Sequence, residues 1–165
     1  VVGDGLHQGT TMGPVANKAQ YKKLKSLLKS AARDGKILSG GKRKGKKGYF
    51  IEPVIVRGVS DGDRIVDEEQ FGPILPIIKY SNIKKIADIA NDTDFGLGAS
   101  VWSRDRARAT RIAGQMQAGT VWVNQCTNIG PHIPMAGFKG SGLGVEQAEE
   151  GLEEYSQVQV LNIAR

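Results

Sequence analysis

The residues Glu68-Glu69-Gln70-Phe71-Gly72-Pro73 run straight into the apolar stretch Ile74-Leu75-Pro76-Ile77-Ile78. Such a stretch reads as a buried strand, and a buried strand usually begins after a solvated turn. On that reading both carboxylates are ordinary turn residues. The sharper reading is that one of them points into a site at the strand's edge. A second candidate is Cys126, which follows Asn124-Gln125 at the end of an expected strand. A thiolate there could act as a nucleophile, but the nearest histidine in sequence is His132 and the spacing establishes no contact between them. A packing or pocket role is the alternative, since free cysteine is often simply a small hydrophobe. One cysteine forms no internal disulfide, and a structural zinc site needs about four ligands. His7 and His132 do not complete such a set, so no metal is expected.

Two glycine-rich stretches have the composition for phosphate chemistry. Gly40-Gly41-Lys42-Arg43-Lys44-Gly45-Lys46-Lys47 approaches a phosphate-binding loop. It fails because Lys47 occupies the hydroxyl position and a strand follows where a helix N-terminus must stand. A solvated connecting loop is expected there. Gly137-Phe138-Lys139-Gly140-Ser141-Gly142-Leu143-Gly144 permits close backbone approach. No strand leads directly into it, so it is no dinucleotide fingerprint.

The elements that must position these residues follow from pattern. Asn17 caps a helix running to about Arg33, with Tyr21, Leu24, Leu28 and Ala31 or Ala32 on one face, and Gly35 stops it. Strands are expected at Ile37-Leu38, Tyr49–Val56, Pro73–Tyr80, Ala99–Trp102, Gly119–Asn124 and Ser156–Ile163. Pro53 marks the second as an edge strand or a bulge. Ser60–Arg64 reads as a turn. Further helices are expected after Asn82, from Asp105 to about Met116, and over Glu146–Glu154. A long loop runs from Gln125 to about Gly144, and loops beyond about 12–15 residues often carry function. Strands alternating with helices imply βαβ units and a mainly parallel sheet, with ligands beyond the strands' carboxyl ends.

Composition bounds the remaining classes. The 165 residues amount to about one domain, large enough to bury roughly 68–70% of the unfolded surface. Hydrophobic residues make up 39% and charged residues 24%, ordinary for a soluble domain. No apolar run approaches the roughly 20 residues of a membrane helix. Val1–Gly5 lacks a signal peptide's basic and apolar regions and reads as mid-chain loop. A cytoplasmic setting is expected. The net charge of +6 comes largely from a helix face (Lys18, Lys22, Lys23, Lys25, Lys29) and the Lys42–Lys47 loop. Without interleaved aromatics, nucleic acid is not an expected partner.

Ordered motifs carry a resemblance across nearly the whole chain. They are Met12-Gly13-Pro14, Gly48-Tyr49-Phe50-Ile51-Glu52-Pro53-Val54, Glu68-Glu69-Gln70-Phe71-Gly72-Pro73 and Asn91-Asp92-Thr93-Asp94-Phe95-Gly96-Leu97-Gly98-Ala99. Ala118-Gly119-Thr120-Val121-Trp122-Val123-Asn124 and Pro134–Gly144 complete the set. The chain resembles the C-terminal part of the NAD(P)-dependent aldehyde dehydrogenases. The resemblance implies an α/β, aldehyde-dehydrogenase-like catalytic domain, mainly parallel with flanking helices. Residues 1–155 would form part of that domain, and 156–165 the C-terminal strand of an oligomerisation region.

The resemblance also implies roles. Glu69 would bind the hydroxyls of the nicotinamide ribose, and Phe71 would contact the nicotinamide side. A carboxylate accepts two vicinal hydroxyl donors well, and an aromatic ring can hold a flat ring in place. Gln125, Cys126, Thr127, Ile133 and Met135 would line the aldehyde pocket. Met135 and Ala136 depart from the family's Phe and Gly, which alters the pocket's shape. The family's nucleophilic cysteine, general-base glutamate and main NAD or NADP domain lie upstream, in motifs absent from Val1–Arg165. No catalytic residue is therefore expected here. The chain reads as a fragment, inactive alone, of a homodimeric or homotetrameric enzyme that oxidises an aldehyde to an acid through a cysteine acyl-enzyme. The alternative is a non-catalytic truncated paralogue serving as a dimerisation module.

Overall fold

A computed structural model describes residues 1–45 and 47–164. Lys46 of the basic loop and Arg165 lie outside the described residues. The chain divides into two compact units, Val1–Ser81 and Asn82–Arg165.

The first unit is built on α1, Lys18–Asp34. The Asn17 side chain accepts from the Gln20 N–H at 2.9 Å, satisfying one of the donors that a helix start leaves unpaired. Leu24, Leu27 and Ala31 are fully buried, with Leu28 only partly so. The buried stripe is thus centred one residue away from the face expected from Leu28. Gly35 ends the helix, with its N–H on the Ala31 carbonyl. Its φ of −142° is extended, so the glycine is not there for a left-handed turn. It is there for space: a Cβ would lie 2.6 Å from Val59 Cγ1 and 2.7 Å from the Arg57 carbonyl oxygen.

After Gly35 come β1 (Lys36–Ser39) and β2 (Val54–Arg57), antiparallel and offset by an irregularity between Ile37 and Ser39. Short helix α2 (Arg64–Asp67) follows, where only a turn was expected. The last strand, β3 (Ile74–Ile77), pairs parallel to β2, giving the order β1-β2-β3. Val54 and Val56 alternate inward from the central strand onto α1. The expected Tyr49–Val56 strand is shorter because Pro53 offers no N–H, and in its first half Ile51 makes an isolated bridge to Arg43. The expected burial of Ile74–Ile78 is also corrected. Ile74 is buried, but Leu75 and Ile77 are 59% and 47% exposed. The reason is the pleat, for Ile74 faces the core that α1 builds while Leu75 and Ile77 alternate to the other face of the sheet.

In the second unit, Asn82 caps a single 3₁₀ turn, Ile83–Lys85, which continues into α3 (Ile86–Asn91). Strand β4 (Phe95–Gly96) precedes β5 (Gly98–Val101), α4 (Arg106–Ala113) and β6 (Thr120–Val123). β5 and β6 are parallel in the register Gly98↔Thr120 to Val101↔Val123, and α4 is the crossover that parallel strands require. Helix α4 stops at Gly114, before the Met116 expected from periodicity. The long loop carries short strands of its own, β7 (Met135–Ala136) and β8 (Phe138–Lys139). β8 pairs antiparallel with β4, and β7 with β9 (Val145–Glu146). Helix α5 (Ala148–Glu153) ends the regular structure. Ser156–Ile163 forms no ladder among the described residues and is exposed throughout. The α/β expectation holds. Among the described residues, its two four-pair ladders are parallel and the other three ladders are antiparallel. No helix among the described residues is long and apolar enough to cross a membrane.

Candidate functional site

The turn between α2 and β3 lines an open cleft of about 360 Å³. Ile65 and Val66 of α2 and Pro76 of β3 supply its apolar wall, and residues 68–72 supply the rest. The two carboxylates of the turn have different fates. Arg64, one helical turn earlier, holds Glu68 in two hydrogen bonds, Nε to Oε1 at 2.5 Å and Nη2 to Oε2 at 3.2 Å. Those bonds hold the Glu68 carboxyl below its ordinary range, and they push the Arg64 guanidinium higher still. Glu69 is exposed, and its carboxylate has no hydrogen-bond or ion-pair partner among the described residues.

Phe71 stands beside it with φ at 46° and its side chain 78% exposed. A left-handed φ is uncommon for a bulky residue, and an exposed aromatic ring gains nothing from core packing. Both features leave the ring free at the cleft. Gly72 follows for lack of room: a Cβ there would lie 2.4 Å from Leu24 Cδ2. The chain then enters the sheet at once, the Val54 N–H donating to the Pro73 carbonyl at 2.8 Å.

Helix α1 also reaches the turn. Lys23 Nζ donates to the Glu69 carbonyl at 2.6 Å, and Gln20 Nε2 donates to the carbonyls of Gln70 and of Phe71, the latter at 3.1 Å. Pattern reading missed both residues, because they lie about fifty positions upstream and sit among other helix polar residues. Gln70 turns inward, its Nε2 on the Ile74 carbonyl at 2.5 Å and its buried Oε1 unpartnered among the described residues.

The five expected pocket residues all belong to the second unit. Gln125, Cys126 and Thr127 are exposed at the start of the loop after β6. Thr127 takes a φ of 55° and its hydroxyl donates to the Cys126 carbonyl at 2.8 Å. Ile133 is half-buried, its N–H on the Gly130 carbonyl at 2.9 Å, and Met135 is half-buried in β7 opposite Glu146. Asn124, just before them, is structural. Its side chain accepts from the Ser103 N–H at 2.8 Å and donates to the Ser103 carbonyl at 2.9 Å. This ties the end of β6 to the loop that enters α4.

Comparison with known proteins bears on the whole chain. The sequence profile of the aldehyde dehydrogenase family matches residues 1–161. Retinal dehydrogenase 2 of Gallus gallus is 42% identical over 164 residues, 99% of this chain and 32% of that protein. Aldehyde dehydrogenase, cytosolic 1, of Rattus norvegicus is 39% identical over 162 residues, 98% of this chain and 32% of its own length. The solved structure of betaine aldehyde dehydrogenase from Staphylococcus aureus in complex with NAD+ superposes with a TM-score of 0.87 at 36% identity. It is matched over 93% of this chain and 32% of that one. The chain therefore spans about a third of the length of these relatives. With its α/β units, its turn at Glu69 and its motifs matched nearly end to end, the chain belongs to the aldehyde dehydrogenase family.

Proposed function

We propose that this chain supplies the nicotinamide-ribose side of the cofactor site in an enzyme that oxidises an aldehyde to a carboxylic acid. The observation that carries this reading is the division between the paired carboxylates. Arg64 already holds Glu68, whereas Glu69, beside the exposed ring of Phe71 on one cleft, has no partner among the described residues. An acceptor carboxylate beside an aromatic ring fits a ribose with two vicinal hydroxyl donors next to a flat ring. NAD or NADP, when bound, supplies the hydride acceptor. Glu69 binds and orients the sugar, and Phe71 limits how far the ring can tilt. Gln125, Cys126, Thr127, Ile133 and Met135 contribute to the aldehyde pocket. The nucleophile and general base come from sequence outside these residues. We place the protein in the cytoplasm as a homo-oligomer. The test is Glu69→Gln in the full-length protein, read by single-turnover hydride transfer at saturating cofactor and aldehyde. A loss of about tenfold is expected, the worth of one charge-assisted hydrogen bond. An unchanged rate overturns the assignment.

A second reading has its own observation. Val158, Val160, Leu161 and Ile163 are 95%, 83%, 83% and 77% exposed. In a strand, Val158 and Val160 face one way and Leu161 and Ile163 the other. Apolar residues on both faces fit a strand covered on both sides, here by a second copy of the chain. This serves oligomerisation in the enzyme, or the whole role of a non-catalytic dimerisation module. Turnover by the full-length protein decides between those two.

A further inference from the structure

The junction between β9 and α5 carries a backbone conformation that its residue types disfavour. Gln147 stands at φ 68° and ψ 171°, a region essentially reserved for glycine. Ala148 follows at φ 55°, also left-handed. Gln147 is exposed, so core packing of its side chain does not offset this conformation. Hydrogen bonds do. The atoms facing the Gln147 amide are the carbonyl oxygens of Gly130 and Ile133, at 2.8 and 3.2 Å, so its NH2 end points at them. The Ala148 N–H donates to the Pro131 carbonyl at 2.9 Å, and the Gly151 N–H returns to the Gln147 carbonyl at 2.8 Å.

This grip falls on one turn. The Ile133 N–H donates to the Gly130 carbonyl at 2.9 Å and closes Gly130-Pro131-His132-Ile133, with Pro131 at the position whose φ proline pre-sets. A carbonyl oxygen has two lone pairs, so that of Gly130 serves both Ile133 and Gln147. One side-chain amide thus bridges the first and last carbonyls of the turn, and the next backbone N–H takes the second. Met135, two residues beyond Ile133, pairs with Glu146, the residue before Gln147. Both half-buried pocket residues are therefore tied to the same junction.

We propose that Gln147 is a positioning residue for the aldehyde pocket: it clamps the Gly130–Ile133 turn, sets where Ile133 stands, and so governs which aldehyde chain lengths the pocket admits. The proposal rests on the reading of Ile133 and Met135 as pocket residues given above.

The test uses the full-length protein, with kcat/KM measured for propanal and octanal and amide hydrogen exchange followed at Ile133 and Ala148. Ile133→Ala acts on the pocket directly and sets the direction in which the octanal-to-propanal ratio moves. Gln147→Gly keeps the left-handed backbone without strain and removes only the amide. It should move the ratio the same way by about fivefold, and speed exchange at Ile133 by a similar factor, the worth of one hydrogen bond. Gln147→Glu turns an acceptor-only carboxylate towards two carbonyls and should do the same. The KM for NAD+ should hold, because the clamp touches no residue assigned to the cofactor. Glu149→Gln, exposed on α5, should change nothing. A ratio that moves in Ile133→Ala but not in Gln147→Gly overturns the proposal and leaves the pocket reading standing. If Ile133→Ala itself leaves the ratio unmoved, the pocket reading falls and the proposal with it. Unchanged exchange at Ile133, or an equal loss on both aldehydes, means that Gln147 serves the fold alone, and this too overturns the proposal.

Discussion

Two adjacent glutamates with different surroundings frame the residue scale. The Arg64 bonds favour the charged form of Glu68, so its carboxyl titrates lower in the folded chain than in the unfolded one. The stabilisation is therefore present above the unfolded value and is lost as pH falls through the folded one. Glu68→Gln should be less stable than the parent chain at about pH 7, and the difference should close at about pH 2. Urea midpoints at the two pH values check this. A gap that persists in acid would mean that the ion pair is not its source. Glu69→Gln should leave the unfolding free energy within about 0.5 kcal/mol of the parent, as for an exposed group without a partner among the described residues. Its cost belongs to the cofactor.

At the scale of elements, close approaches decide more than propensities do. Gly119 begins the approach to β6 where a Cβ would sit 1.7 Å from the Ala136 carbonyl oxygen, a backbone atom that cannot swing away. Gly119→Ala should cost about 3 kcal/mol by driving β6 and β7 apart. Gly114 ends α4 with φ at −67°, and a Cβ there meets nothing nearer than 3.6 Å. Gly114→Ala should therefore stabilise by about 0.5 kcal/mol, through lost freedom of the unfolded chain. Thermal unfolding of the two variants side by side checks both signs. Asn91 works between elements in the same way as Asn124. Its side chain donates to the Gln115 carbonyl and accepts from the Gln117 N–H, both at 2.8 Å, pinning α3 to the end of α4. Their motifs are thus partly scaffolding.

For the whole molecule, the segment after α5 is where a second copy of the chain would act. Its apolar pattern is legible, yet it pairs with no strand among the described residues. If a second copy covers it, Val160→Lys/Ile163→Lys should shift the full-length protein to smaller assemblies in sedimentation velocity. Tyr155→Lys, one residue short of the segment and also exposed, should not. An unchanged distribution in the double variant would remove the segment from the interface.

By itself the sequence determined the local features: the Asn17, Asn82 and Asp105 caps, the β5–α4–β6 unit and the motif-bearing turn before β3. These depend on residues within a few positions of one another, so spacing reports them. It also singled out Glu69 from Glu68, but only through resemblance to a family. Tertiary structure alone decided that Arg64 occupies Glu68, that Gln20 and Lys23 hold the turn, and that β3 ends its sheet. It also decided that Gly35 and Gly72 are there for space. Each of these except the Arg64 pair is a meeting of segments distant in sequence. Such meetings are set by which surfaces can bury against one another, and periodicity along one segment carries no record of its partner.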